Sequence, residues 1–162
     1  MIIPIKTSKA DKSYDNFIEY IIGLAQGLKS DSVEIIIANG SSQETFIYAD
    51  KCFKSLSNVS HFIPHRSIRT GDNDKLNGIY AALSYAKYEK ILLIDDHYRI
   101  TRETLKQINQ YYSKYDSFKC MPKISPFPIT SLIDYCGMFV VNVLDKRKQY
   151  CGHLAFHKSL YL

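Results

Sequence analysis

The sequence lacks several features that would place it in a clearly marked class of protein. No stretch approaches the ~20 apolar residues that a membrane-spanning helix needs, and the first apolar run is far too short for a signal peptide, so we expect none. The four cysteines include no CxxC pair, which argues against a structural zinc site. We therefore expect free thiols and a reducing, cytoplasmic setting.

Three motifs that identify large enzyme classes are missing as well. The sequence contains no GxSxG, no Walker A and no GxGxxG, so serine-hydrolase, P-loop NTPase and dinucleotide-binding functions lose support. Lys and Arg are scattered rather than gathered into a stripe, and we expect no binding to nucleic acid. The net charge of +5 suits an anionic small ligand or a peripheral contact with an anionic membrane surface.

What the chain does contain is typical of one globular domain. Its 162 residues are 46% hydrophobic and 23% charged, which suffices for a single core. Short β-branched runs alternate with amphipathic segments over the first two-thirds of the chain. This pattern predicts strands at Ile2–Ile5, Val33–Ala38, Val59–Ile63 and Lys90–Ile94, and helices at Tyr14–Leu28, Ser42–Leu56, Asp74–Tyr88 and Thr101–Tyr115.

The order of these elements predicts the fold class. Strands that alternate with helices at this spacing form βαβ units, and the near-continuous apolar run of Lys90–Ile94 indicates burial on both faces of the sheet. Ser13 is the expected N-cap of the first helix and Thr101 that of the fourth. We therefore expect an α/β fold, a three-layer α/β/α sandwich around a mostly parallel, mixed sheet.

The pattern changes after Ser117. Three prolines there predict a stiff loop between two further strands, and the chain ends inside an expected helix. In chain order we predict a strand at Phe118–Met121, a loop around Pro122, Pro126 and Pro128, a strand at Met138–Val143 and a helix at Leu154–Leu162.

Polar residues follow three of the predicted strands. They are Lys6-Thr7-Ser8, Asn39-Gly40-Ser41-Ser42 and Asp95-Asp96-His97. In open α/β sheets, ligands bind beyond the carboxyl ends of the strands. We therefore expect these three segments to line one cleft.

Asp95-Asp96-His97 is the sharpest of these features. In an extended segment Asp95 and His97 point to the same side, where they can hold one divalent cation. Mg²⁺ or Mn²⁺ bound by one or two protein groups and by phosphate oxygens is usual at nucleotide sites, and the His ligand favours Mn²⁺. The alternative is that both acids are ordinary turn residues after a strand.

Two other features have a functional and a structural interpretation. The small residues after Asn39 allow close approach of a ligand, but they also suit a plain turn. Lys75, near a helix N-terminus, either binds an anion or lies on the solvated surface. Structural roles are expected for His61, His65, His153 and His157.

Taken together, the segments resemble the inverting glycosyltransferase family that includes cellulose, chitin and hyaluronan synthases and many bacterial capsule and lipopolysaccharide enzymes. MIIPIKTSK resembles its first strand (xxIIPxYN), and VEIIIANGSSQET its second strand and loop (VVDDGSxD). The stretch DKLNGIYAALSYAKYEKILLIDDHYRITRETL resembles the one ending in FLDxDxxLxPxxL, and CGHLAFHKSLYL the later GxNxAxRRxxL segment.

The resemblance implies a Rossmann-like GT-A fold that binds a nucleoside-diphosphate sugar, with a UDP-sugar favoured. It implies a nucleotide-binding half at residues 1–116 and a partial acceptor-side region at residues 117–162. A glycan or lipid-linked hydroxyl would be the acceptor, and Mn²⁺ or Mg²⁺ the cofactor. The implied contacts to nucleobase, ribose and diphosphate are Pro4, Lys6, Thr7, Asn39, Lys75, Asp95 and Asp96, and the implied metal ligands are Asp95, Asp96 and His97.

The chain departs from the family pattern in two ways. Ala38-Asn39 replaces the usual paired acids, which puts uridine selectivity in question. No residue matches the catalytic Asp or Glu and the QxxRW-like segment that normally come later, and Asp134 and Asp145 are weak candidates for the base. Three hypotheses stay open: an active transferase, a domain of the same fold that binds without transfer, and, last, a nucleotidyltransferase, which would need a Gly-rich, Arg-containing loop where this chain has KTSKADKS.

Overall fold

A computed structural model of the chain describes residues 1–8, 10–65, 71–120 and 153–160, together with the helical residues 132–133, 136–137, 140 and 143–144. Strands and helices alternate from the first strand to the fourth helix, as the sequence predicts. The strands are β1 (Ile2–Ile5), β2 (Ile35–Asn39), β3 (Val59–Phe62), β4 (Lys90–Leu92), β5 (Ser117–Cys120) and β6 (His153–His157). The helices are α1 (Lys12–Gly27), α2 (Gln43–Phe53), α3 (Asp74–Tyr85) and α4 (Arg102–Tyr111).

The strands form a mixed sheet in which β4 occupies an interior position. β1, β2 and β3 pair in parallel in that order, and β4, β6 and β5 pair antiparallel. A parallel bridge between Ile2 and Leu93 joins the two groups, and Ile94 N donates to Ile2 O at 3.1 Å. Leu93 and Ile94, which follow β4, therefore run parallel to the first residues of β1, and both segments lead toward the same edge of the sheet.

Alternating side chains of the strands build a core on each face of the sheet. Ile3, Ile35 and Ile37 point to the face that α1, α2 and α4 cover, while Ile2 and Ile36 point to the face under α3. All five side chains are buried. The predicted three-layer α/β/α sandwich is thereby confirmed.

Helix caps account for most of the helix boundaries. Thr101 caps α4 as predicted, accepting the N–H of Thr104 at 3.2 Å. The prediction for α1 is wrong: Asp11 is the cap, and its carboxylate accepts the N–H of Ser13. Ser13 is the second residue of the helix, so its own N–H is one of the donors without a partner inside the helix. The Asp11 carboxylate supplies the acceptor for it.

The last third of the chain departs most from the sequence-based expectations. β5 confirms the strand predicted near Phe118, but residues 153–157 form β6 and residues 158–160 a 3-10 turn, so the predicted terminal helix is wrong. Pairing with both β4 and β5 makes β6 an interior strand, and burial of Ala155 and Phe156 between the two helix layers overrides the local pattern.

The predicted strand at Met138–Val143 is wrong where it is described, because Val140 and Val143 are helical. Its other residues and the loop around Pro122, Pro126 and Pro128 lie outside the described residues.

Cys52, Cys120 and Cys136 are free thiols, as expected, and Cys151 lies outside the described residues. Within the described part of the chain, no helix has the length and apolar character needed to cross a bilayer.

Candidate functional site

The carboxyl ends of β1 and β2 lie side by side. Gly40 N donates to Ile5 O at 2.8 Å, and Thr7 N donates to Ser41 Oγ at 2.9 Å. These bonds fix the backbone after both strands. Two of the three polar segments expected in the cleft therefore meet.

Helix α3 begins directly over these two strand ends. Asn73 caps the helix and accepts the N–H of Lys75 at 3.0 Å. A Cβ atom added to Gly78 would lie 3.4 Å from the Ala38 Cβ and 3.7 Å from the Pro4 Cβ. A methyl group would make ordinary van der Waals contact at this position, so the first turns of α3 pack close to the sheet and bring Pro4 and Lys75 to the same region.

Two ion pairs connect the start of α3 to the strand ends. Lys6 Nζ lies 2.8 Å from Asp74 Oδ2, and Lys75 Nζ lies 2.5 Å from Asp95 Oδ1. The Asp95 side chain is 33% exposed and that of Lys75 is 55% exposed, so both remain accessible to a ligand. The third polar segment thus joins the other two around α3.

Asp96 and His97 lie in a turn rather than in an extended segment. Tyr98 N donates to Asp95 O at 3.2 Å, which closes the turn directly after β4. Asp96 Oδ1 faces His97 Nδ1 at 3.4 Å, whereas Asp95 faces Lys75. The turn removes the strand alternation from which we predicted that Asp95 and His97 share a side, because β4 ends before Asp95, and their joint hold on one cation stays a prediction.

In the described ranges, no three His, Cys, Asp or Glu side chains converge into a group that could hold a metal ion. The metal-binding role of Asp95, Asp96 and His97 stays a prediction.

Asn39 lies inside the structure, not on the cleft surface. Its side chain is fully buried, its Oδ1 accepts the N–H of Ser41 at 3.0 Å, and its Nδ2 lies 3.3 Å from Tyr14 Oη and 3.0 Å from His61 Nε2. Both amide protons and the carbonyl are thus engaged within the protein. The structure gives Asn39 a positioning role for the loop after β2, and its direct contact with a base stays a prediction.

His61 completes this buried network as a neutral imidazole. Since the Asn39 amide nitrogen only donates, His61 Nε2 must accept, and Nδ1–H donates to Asp50 Oδ1 at 3.2 Å. Burial lowers the pKa of His61, and the half-exposed Asp50 only partly opposes this effect. The ring stacks on Phe46 with centroids 4.3 Å apart.

The network predicts a loss of stability in mild acid. The pKa of His61 is lower in the folded chain than in the unfolded chain, so the unfolded chain binds the proton first as the pH falls. The contribution of neutral His61 to the free energy of unfolding is complete above the pKa of the unfolded chain. It should disappear as the pH falls from about 7.5 to 5. Urea unfolding of the unchanged chain and of His61→Gln over that range should give a flatter pH dependence for the variant. Parallel curves would show that His61 does not titrate in this way.

His153 was expected to be structural, but it lies at the candidate site. The ring of Tyr98 packs edge-on against it at 3.9 Å between centroids, and the rings of His97 and Tyr98 lie 4.3 Å apart. Burial lowers the pKa of His153, Asp95 opposes this effect, and His97 and Lys75 add to it. His153 lies in the segment that resembles GxNxAxRRxxL, but nothing in the sequence indicated its proximity to Asp95, which depends on the antiparallel pairing of β6 with β4.

Other candidates lie elsewhere. Asp134 and Asp145, the weak candidates for a catalytic base, fall outside the described residues. A cavity of about 720 Å³ opens at the opposite edge of the sheet, among residues that include Met1, Lys90 and Arg102. It does not border Asp95 or Lys75 and is not part of the candidate site.

Comparison with known proteins identifies the fold. No protein-family profile and no curated protein sequence matches the chain. It is similar to glucosyl-3-phosphoglycerate synthase from Mycobacterium tuberculosis in complex with Mn²⁺, uridine diphosphate and phosphoglyceric acid, with a TM-score of 0.60 and 16% identity over 98% of this chain and 55% of that one.

A structure of the same enzyme with Mn²⁺, UDP-glucose and phosphoglyceric acid gives a TM-score of 0.58 at 16% identity, over 98% of this chain and 56% of that one. The chain thus spans little more than half the length of these proteins. At 16% identity, this similarity shows a shared fold. The chain has the Rossmann-like α/β fold, of GT-A type, that these structures share.

Proposed function

We propose that the chain binds a nucleoside-diphosphate sugar, with a UDP-sugar favoured, and takes part in metal-assisted transfer of the sugar to an acceptor hydroxyl. The observation that carries this proposal is the Lys75–Asp95 ion pair at 2.5 Å, next to the ends of β1 and β2. An accessible cation and carboxylate at the carboxyl edge of a GT-A sheet suit a diphosphate and its counter-ion.

The donor set fits a divalent cation. Asp95 and Asp96 offer oxygen ligands, His97 offers an imidazole, and all three side chains are at least one-third exposed. One or two protein groups suffice where phosphate oxygens supply the remaining ligands, so a preformed three-residue cage is not needed. When bound, Mn²⁺ or Mg²⁺ would neutralise negative charge on the leaving diphosphate.

The chain's own residues would bind and orient the donor. Pro4 lies in β1 and Lys6 and Thr7 follow it, and all three would border the nucleoside. Lys75 would exchange its contact with Asp95 for a diphosphate oxygen, and its ammonium group would stabilise charge that develops as the glycosidic bond breaks. Asn39 would keep the loop after β2 in position through Ser41.

Transfer also needs a carboxylate that deprotonates the acceptor hydroxyl. Inversion at the sugar carbon and a glycan or lipid-linked acceptor are the expectations that come with the family resemblance. We assign no residue as the base.

Ligand-dependent stabilisation tests the donor site. UDP with Mn²⁺ at a hundred times its Kd should stabilise the folded chain by about 2.7 kcal/mol, or roughly 5–10 °C in Tm for a chain of this size. The measurement is a thermal-shift panel of nucleotides and nucleotide sugars, with and without Mn²⁺. The absence of any nucleotide response would overturn the proposal.

Binding without transfer is the second candidate, because none of the described residues is assigned as the base that transfer needs. Release of free UDP from UDP-glucose in the presence of Mn²⁺ would favour the transferase. UDP binding with no release would favour a binding domain. Pyrophosphate release from a nucleoside triphosphate would instead favour the nucleotidyltransferase hypothesis.

A further inference from the structure

The cavity of about 720 Å³ lies at the amino ends of the parallel strands, at the edge of the sheet opposite the candidate donor site. Its lining comes from the residues that precede β1 and β2, from the first residues of β4 and from one face of α4. Cavities of about 300–1,000 Å³ hold small organic ligands. We call this space the amino-edge cavity, and a ligand in it would not occupy the donor site.

Apolar side chains form the inner wall of the amino-edge cavity. Leu105, Ile108 and Tyr112 recur on one face of α4 at helical spacing. Leu28 and Leu92 also line the cavity and belong to the same core cluster. An apolar group bound against this wall would remove apolar surface from water. The inner part of the cavity therefore suits the apolar part of a ligand.

The carboxylates that line the cavity are already engaged by donors of the protein. Asp31 accepts two hydrogen bonds from the Arg102 guanidinium, both at 2.8 Å. Glu34 Oε1 accepts two backbone N–H groups, at 2.6 and 3.3 Å, and Glu89 Oε1 accepts one at 2.8 Å. The Met1 amino group donates to Glu34 O at 2.8 Å, and burial lowers its pKa to about 6, so it adds little charge at neutral pH. A cationic ligand would have to compete with these donors.

Two ammonium groups at the mouth of the cavity are not neutralised in this way. Lys90 Nζ donates to the neutral side chain of Asn109 at 2.9 Å and lies 5.7 Å from the centre of the Tyr112 ring. Lys106 is exposed and lies one turn before Asn109 on α4, which places both ammonium groups on the same side of the mouth. Within the described ranges, neither lysine forms an ion pair as Asp31 does with its guanidinium partner. The mouth therefore favours an anion.

We propose that the amino-edge cavity binds an organic anion with an apolar chain. The head group pairs with Lys106 and Lys90, and the chain lies against the apolar wall of α4. Opposite charges at the mouth orient such a ligand, while burial of the chain supplies most of the affinity. Carboxylate and phosphate head groups share this chemistry. The site is separate from the donor site and does not depend on the proposed function.

Four ligands with the same octyl chain test the requirement for negative charge. Octanoate and octyl phosphate carry the two anionic head groups, octanol is the neutral control, and octyltrimethylammonium is the cationic control. Calorimetry with the unchanged chain, without UDP or Mn²⁺ and below micelle-forming concentrations, measures each affinity. At least one anion should bind about fivefold more tightly than octanol, and the cation should bind no more tightly than octanol. The tighter of the two anions identifies the head group.

Lys106→Gln tests the contact with the head group. The exposed position of Lys106 means that loss of its charge should leave stability nearly unchanged. Affinity for the preferred anion should fall about fivefold, whereas affinity for octanol should stay the same. Lys114→Gln is the matched control, because Lys114 is an exposed lysine just after α4 that does not line the cavity. Its affinities should equal those of the unchanged chain.

Several results would overturn this inference. Equal affinities for the anions and octanol would show an apolar surface that does not recognise a head group, and failure of both anions to bind would remove the site. Full anion affinity in Lys106→Gln would exclude the proposed contact. Displacement of the bound anion by UDP with Mn²⁺ would place it in the donor site. Failure of the chain to bind UDP would contradict the proposed function and leave this inference intact.

Discussion

Replacing Asp95 by Asn is expected to weaken UDP binding in the presence of Mn²⁺ by about 100-fold or more. The substitution keeps the size of the side chain but removes the negative charge that faces Lys75 at 2.5 Å. A divalent cation beside the diphosphate would lose its carboxylate ligand, and Lys75 would lose its partner in the ligand-free state. Calorimetry with UDP and Mn²⁺ measures the effect directly.

The fold should survive this change, since a partly exposed ion pair contributes about 1 kcal/mol or less. Asp31→Asn is the matched control: Asp31 also pairs with a cation, Arg102, at 2.8 Å, and borders the cavity at the opposite edge. Its UDP affinity should equal that of the unchanged chain. An Asp95→Asn variant that binds UDP and Mn²⁺ as tightly as the unchanged chain would remove Asp95 from the site.

Replacing Asn39 by Leu should lower the free energy of unfolding by about 2–4 kcal/mol. Leu is similar in size but provides no hydrogen bonds. His61 Nε2 would be left buried without its donor, and the loop N–H of Ser41 would lose its acceptor. Urea unfolding near neutral pH measures the change.

Asn109→Leu serves as the control for this substitution. Asn109 is exposed on α4 and accepts a hydrogen bond from Lys90 at 2.9 Å, so its loss should cost about 0.5 kcal/mol or less. Equal effects of the two substitutions would contradict the positioning role of Asn39. If the Asn39 amide instead contacts the nucleobase, Asn39→Leu should leave stability nearly unchanged and lower UDP affinity.

The alternation of β-branched runs and amphipathic segments was sufficient to predict β1 to β4 and α1 to α4. Each of these elements buries one or both faces, and the spacing of its apolar residues can be read within the segment itself. The same pattern failed for residues 154–162. β6 is an interior strand only because β4 and β5 pair with its two edges. Pairing between distant segments produces no recognisable apolar spacing within nine residues.

The candidate site shows the same division. The polar residues after β1, β2 and β4 were visible in the sequence, since strand ends can be recognised locally and parallel strands bring them to one edge. Their partners were not visible. The contacts of Asp95 with Lys75, of Asn39 with His61, and the approach of His153 to Asp95 each join segments far apart in the chain.

The amino-acid order alone determined the α/β class, the strand that precedes the two acids, and the edge of the sheet where the polar residues gather. Local periodicity and the geometry of parallel strands account for these three results. Only the tertiary structure decided that Asn39 is internal, that Asp95 faces an ammonium group and that the His153 ring packs against Tyr98. Burial and hydrogen-bond pairing depend on which distant segments pack together, and no local pattern encodes that choice.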